Sequence, residues 1–154
     1  MPVRVRWFQG KHLGVALILF GIAGLFQAIF IAHGQYIMGV GSTSAVTLIP
    51  IVATICIGYS AAILFEAQLQ RARKNQFQKG YKKGGSKRLR SELLFPLLVP
   101  LVLFTVIYLI VFPLANLANN AMSSFLIAEN SAGIGVLVIA SLIENRIAPN
   151  LKHY

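Results

Sequence analysis

Four long apolar stretches divide the sequence. They cover residues 13–32, 45–65, 93–112 and 124–143, and each is close to the ~20 residues that a helix needs to cross the hydrocarbon core of a membrane. Their apolar positions are continuous rather than alternating, which favours helices over the strands of a membrane barrel. The pattern therefore predicts an all-α integral membrane protein, with four transmembrane helices arranged as two hairpins in a single domain over residues 1–154.

The first and fourth stretches each admit an alternative. The first follows basic residues, as a secretory signal does, but it is longer than the usual ~7–15 apolar residues of a signal, so we expect it to be kept as an anchor. The fourth carries Glu129, Asn130 and Ser131 in its first half. A re-entrant or surface-lying helix therefore competes with a full span there.

Composition agrees with a membrane protein and argues against an independent soluble enzyme. Hydrophobic residues make up 56% of the chain and charged residues 12%, about half of the ~25% charged residues typical of a soluble domain. Cys56 is the single cysteine, so no disulfide can form within the chain.

The distribution of charge predicts the orientation. Of the 14 Lys and Arg residues, three precede the first span, nine lie between the second and third, and two follow the fourth. The connections 34–44 and 113–123 have none. Because Lys and Arg beside spans stay on the cytoplasmic side, we expect both termini and the long loop 66–92 on that inner side. Without the fourth span, Arg146 and Lys152 would lie on the opposite side.

The long loop 66–92 is strongly basic, with nine cations against Glu66 and Glu92. Its candidate binding residues, including two interleaved aromatics, are Arg71, Arg73, Lys74, Phe77, Lys79, Tyr81, Lys82, Lys83, Lys87, Arg88 and Arg90. Good helix formers fill residues 66–78, so we expect the second helix to continue into the loop until Gly80 stops it. Ser91 is then the candidate cap of the third helix.

Several partners suit such a loop. Anionic lipid head groups bind clusters of Lys and Arg beside a span, and the acidic face of another membrane subunit, or of a second copy, would bind them equally well. Nucleic acid is a less favoured possibility, in which phosphates attract the cations and bases stack on the aromatic rings. Alternatively, the charge serves only to fix the topology.

Small residues mark possible helix contacts, since membrane helices approach closely through them. The candidate packing residues are Gly14, Gly21 and Gly24 on the first span and Thr54, Gly58 and Ala62 on the second. The third span has no Gly, Ala or Ser between Pro96 and Phe112, so we expect it to be the most exposed to lipid or to a partner. Pro113 is expected to end it.

Glu129, beside Asn130, is the candidate polar site within the membrane. Ionisable residues within spans are costly and are functional candidates by default. We expect Glu129 to lie near the outer end of the fourth span, within reach of water. The sequence offers as its hydrogen-bond partners Gln27, His33, Asn116, Asn119 and Asn120.

No catalytic or cofactor motif stands out. Aspartate is absent, and no Cys, His and carboxylate cluster has the spacing of metal ligands, so we expect neither catalysis nor a metal or other cofactor. The leading hypothesis is a structural or accessory membrane subunit that docks through its basic loop and third helix. The alternatives are a viral envelope or capsid-membrane protein whose loop faces packaged nucleic acid, and an oligomeric channel or small ion or proton transporter that uses Glu129.

Overall fold

The fold is all-α. The computed structural model describes residues 13–37, 39–40, 44–78, 87–117 and 120–147. Side chains are described for residues 14–37, 39–40, 44–69, 94–117 and 120–146. The helices are α1 (Leu13–Ala32), α2 (Ser44–Gln78), α3 (Lys87–Asn116) and α4 (Ala121–Ile147), and a short π-helical segment, His33–Ile37, continues α1.

All four helices are long and apolar enough to cross a membrane, which confirms the four predicted stretches. The candidate spans are Gly14–Ile37, Ser44–Leu69, Leu94–Asn116 and Ala121–Arg146. The fourth is one continuous helix through its polar residues. Four helices of this length and hydropathy are typical of a multi-pass membrane protein.

Of three helix ends that the sequence predicted, one is confirmed and two are wrong. α2 continues to Gln78, as predicted from the helix formers in that segment. α3 begins at Lys87, and not near Ser91, because the Lys and Arg residues before Ser91 also favour helix. α3 also continues past Pro113 to Asn116. A proline removes only one backbone donor, and membrane helices commonly tolerate it.

Neighbouring helices run in opposite directions. On α1 and α2, Phe20 lies beside Gly58 and Gly24 lies beside Thr54, so residue numbers rise on one helix as they fall on the other. The same antiparallel relation joins α1 to α4, where Gln27 meets Glu129 and Gly34 meets Phe125. α1 and α3 run in the same direction.

The first and last described residues, Leu13 and Ile147, therefore lie at the same end of the bundle. The connections after α1 and after α3 lie at the other end. Gly39, in the first of these connections, has a φ of 63°, a left-handed conformation that glycine adopts without a steric penalty.

The interior combines aromatic and small side chains. Fully buried rings from α3 and α4 meet rings of α1, and alanines fill the remaining contacts. Large aliphatic side chains point outward instead, for example Leu25 (74% exposed), Leu109 (62%) and Ile134 (60%). Such an apolar exterior suits hydrocarbon, because lipid and not water surrounds a membrane helix.

Candidate functional site

The candidate site is a hydrogen bond between two buried polar side chains. Gln27 of α1 is 1% exposed and Glu129 of α4 is 0% exposed. Nε2 of Gln27 donates to Oε2 of Glu129 across 3.2 Å. Of the five partners that the sequence offered to Glu129, the structure places Gln27 there.

Aromatic rings surround this pair. Phe30 of α1 packs edge-on against Tyr108 of α3, with ring centroids 4.8 Å apart. Tyr108 in turn meets Phe125 of α4 at 6.3 Å and lies close enough to Glu129 for an electrostatic interaction. The expectation that water reaches Glu129 is wrong in this structure, because the side chain of Glu129 is fully buried within the bundle.

The hydrogen bonding of the pair is incomplete. Oε1 of Gln27 and Oε1 of Glu129 are both buried, and neither has a hydrogen-bond partner among the described residues. Buried polar atoms are nearly always paired in folded proteins, so two unpaired oxygens on one interacting pair require an explanation. Carboxylate and amide oxygens accept protons or hold small cations, and these are the two ligand classes that the pair suits chemically.

Asn130, the neighbour of Glu129, points away from this site. Its side chain is exposed on the outer surface of α4. The same surface carries Ile127 (42% exposed) and Ile134 (60% exposed). Asn130 is therefore an amide within an apolar outward face, and it does not take part in the Gln27–Glu129 contact.

The small residues of α2 lie against α1. A Cβ on Gly24 of α1 would be 3.9 Å from Cγ2 of Thr54. One turn along α2, a Cβ on Gly58 would overlap the ring of Phe20. Ala62 is buried beside Ala16 with Phe20 packed against them. The three positions Thr54, Gly58 and Ala62 thus share one contact face.

Gly14 and Gly21 need a correction. Both are exposed, and a Cβ on either would meet no atom of the described residues within 4 Å, so neither packs against another of the described helices. At 3.6 residues per turn they lie on the side of α1 opposite Ala16 and Ala23, which are buried. The sequence showed glycine spacing but not which side of α1 faces the bundle.

The π-helical segment was not predicted, and it brings Gly34 against α4. A Cβ on Gly34 would lie 2.7 Å from Cε2 of Phe125, so only glycine fits. The rings around the site were also missed. Their signal was available, since Phe26 and Phe30 of α1, like Phe104 and Tyr108 of α3, are four residues apart and therefore share a helix face.

The predicted basic residues fall on helix ends and on undescribed positions. Arg71, Arg73, Lys74 and Phe77 belong to the last turns of α2, and Lys87, Arg88 and Arg90 to the first turns of α3. Lys79, Tyr81, Lys82 and Lys83 lie outside the described residues. The structure therefore gives a helical backbone to seven of these eleven positions.

The third helix is not the single most exposed one. In the most apolar part of its span, 22% of the residues are buried within the bundle. The buried fraction is the same for α1 and is 50% for α2. Its bulky residues divide between two sides: Phe104 and Tyr108 are buried, whereas Val102 and Leu109 face outward. The lack of small residues predicted side-chain packing, but not that α1 would be equally exposed.

No protein-family model, curated protein or solved structure matches the chain. Among the described side chains, no three of His, Cys, Asp or Glu come together as metal ligands would.

Proposed function

We propose that the chain is a non-enzymatic subunit of a larger membrane assembly. Its four helices anchor it, with both termini and the basic segment 66–92 on the inner side, as the distribution of Lys and Arg supports. It docks through the outer faces of α3 and α4 and through the basic segment.

Asn130 is the observation that carries this proposal. It lies nine residues into α4, ~13 Å along the axis at 1.5 Å per residue, and within the candidate span Ala121–Arg146. A primary amide without a hydrogen-bond partner in an apolar environment costs roughly 1–3 kcal/mol. Polar side chains such as Asn hydrogen-bond across membrane helix interfaces, so the amide of a neighbouring subunit would remove this cost.

The basic end of α2 supports a second docking surface. The helix continues to Gln78, past the end of the apolar stretch at residue 65, and Arg71, Arg73 and Lys74 lie on this extension. An acidic face on a neighbouring subunit would contact the whole extension.

The test measures the mass of the full chain after extraction in a mild detergent. We expect the wild type to migrate well above the 16.8 kDa of one chain, and Asn130→Leu to shift it towards the monomer. Asn145→Leu is the matched control, because Asn145 is also exposed on α4 but lies two residues from the end of the helix, where water can solvate it. A monomeric wild type, or equal behaviour of the two variants, would overturn the proposal.

A further inference from the structure

Two oxygens without hydrogen-bond donors belong to one pair of buried side chains that joins α1 to α4. Oε1 of Gln27 and Oε1 of Glu129 are both buried and unpaired among the described residues, although Nε2 and Oε2 of the same two side chains are bonded at 3.2 Å. Two acceptors at one buried contact need a shared donor. An ionised Glu129 supplies none, since a carboxylate only accepts hydrogen bonds.

Among the described residues, no Lys or Arg is placed to neutralise Glu129. In the sequence all 14 lie in residues 4–11, 71–90 and 146–152, and the described ones are at the ends of α2, α3 and α4 that lie away from Glu129. His33 is six residues beyond Gln27 on the same helical path. Tyr108 is the titratable group that faces Glu129 from α3. On α2, Cys56 lies beside Gly133, one turn further in. A buried carboxylate without a cationic partner is strongly unfavourable.

We propose that Gln27 and Glu129 form a proton-binding site, in which Glu129 carries the proton on Oε1 and donates it to Oε1 of Gln27. Nε2 of Gln27 simultaneously donates to Oε2 of Glu129, so that acid and amide form a closed pair with two hydrogen bonds. The proton adds no volume and needs no cavity among the packed rings. This arrangement provides both unpaired oxygens with partners and removes the net charge from the interior.

Release of the proton would change the contact between the two helices. Oε1 of Gln27 would then face a carboxylate oxygen, and two acceptors at short range repel each other. The same helices meet at Gly34 and Phe125, where the π-helical segment begins. Occupancy of the site therefore controls how tightly the outer half of α1 is held against α4, independently of the docking role proposed above.

Infrared spectroscopy of the full chain in lipid bilayers tests this proposal, because a protonated carboxyl and a carboxylate absorb at different frequencies. At neutral pH we expect a protonated-carboxyl band that is lost in Glu129→Gln and kept in Glu144→Gln and Glu66→Gln. Gln27→Leu should keep the band and shift it to higher frequency, since the carboxyl loses its hydrogen bonds to the amide.

Several results would overturn the proposal. One is a wild type without the band, and another is a band whose frequency is unchanged in Gln27→Leu. Loss of the wild-type band on adding sodium would assign the site to a cation instead. If Glu129→Gln does not fold, carbon-13 NMR of the wild type labelled at its glutamates shows whether a protonated carboxyl is present. The carboxyl chemical shift of a protonated acid differs from that of a carboxylate.

Discussion

The ring of Phe20 on α1 occupies the space that Gly58 leaves open on α2. A Cβ built on Gly58 would overlap three atoms of that ring, whereas one built on Gly21 would meet nothing within 4 Å. The two glycines therefore differ in role although both lie within membrane helices. Gly58 permits close packing of α1 and α2, and Gly21 faces outward.

Gly58→Ala should therefore destabilise the bundle. Overpacking by one methyl group costs about 1–3 kcal/mol, partly offset by a gain of about 1 kcal/mol from the higher helix propensity of alanine. Thermal unfolding in detergent measures the change. Gly21→Ala is the control and should leave the melting temperature unchanged or raise it. Phe20→Leu should restore part of the stability lost in Gly58→Ala, and an equal effect of the two glycine substitutions would contradict the assignment.

The orientation predicts which positions an impermeant thiol reagent reaches. In a Cys56→Ser background, a cysteine in place of Leu117, which is 85% exposed beyond α3, should react from outside intact cells. Cysteines at Lys82 and Asn145 should react only after the membrane is opened, because the positive charge keeps those regions inside. If the Lys82 and Asn145 positions reacted from opposite sides, an even number of spans would be wrong.

The sequence was sufficient to predict the four spans, but not which side of each helix is buried. Each span is apolar over its whole length, so length and hydropathy alone locate α1 to α4. For the same reason, no polar side shows which side of a helix faces the interior of the bundle. The outward position of Gly14 and Gly21 could therefore not be predicted. Glu129 was recognisable because a carboxyl within a span is rare. Its pairing with Gln27 depends on how α1 and α4 approach each other, which is a tertiary property.

Helix continuity at the basic end of α2 can be tested without changing its charge. Ala72→Pro interrupts the helix between Arg71 and Arg73 at a cost of about 3 kcal/mol. Ala72→Ser keeps the helix and serves as the control. If the extended helix docks on a partner, the proline variant should insert in the membrane but lose the high-mass form in mild detergent. Equal masses for the two variants would show that charge alone, without the helical arrangement, is sufficient.

The Gln27–Glu129 contact predicts strong coupling in a double-mutant cycle of unfolding free energies. Gln27→Leu leaves a carboxyl without its amide, and Glu129→Leu leaves an amide without its carboxyl, so each single variant should lose about 1–3 kcal/mol from an unsatisfied buried group. The double variant removes both polar groups and replaces them with apolar ones, which is often nearly neutral. It should therefore be more stable than either single variant. A cycle between Gln27→Leu and Ser60→Ala is the comparison, because the Ser60 hydroxyl bonds to the carbonyl of Cys56 within α2. Additive losses in the Gln27–Glu129 cycle would mean that the two side chains are neighbours without a stabilising interaction.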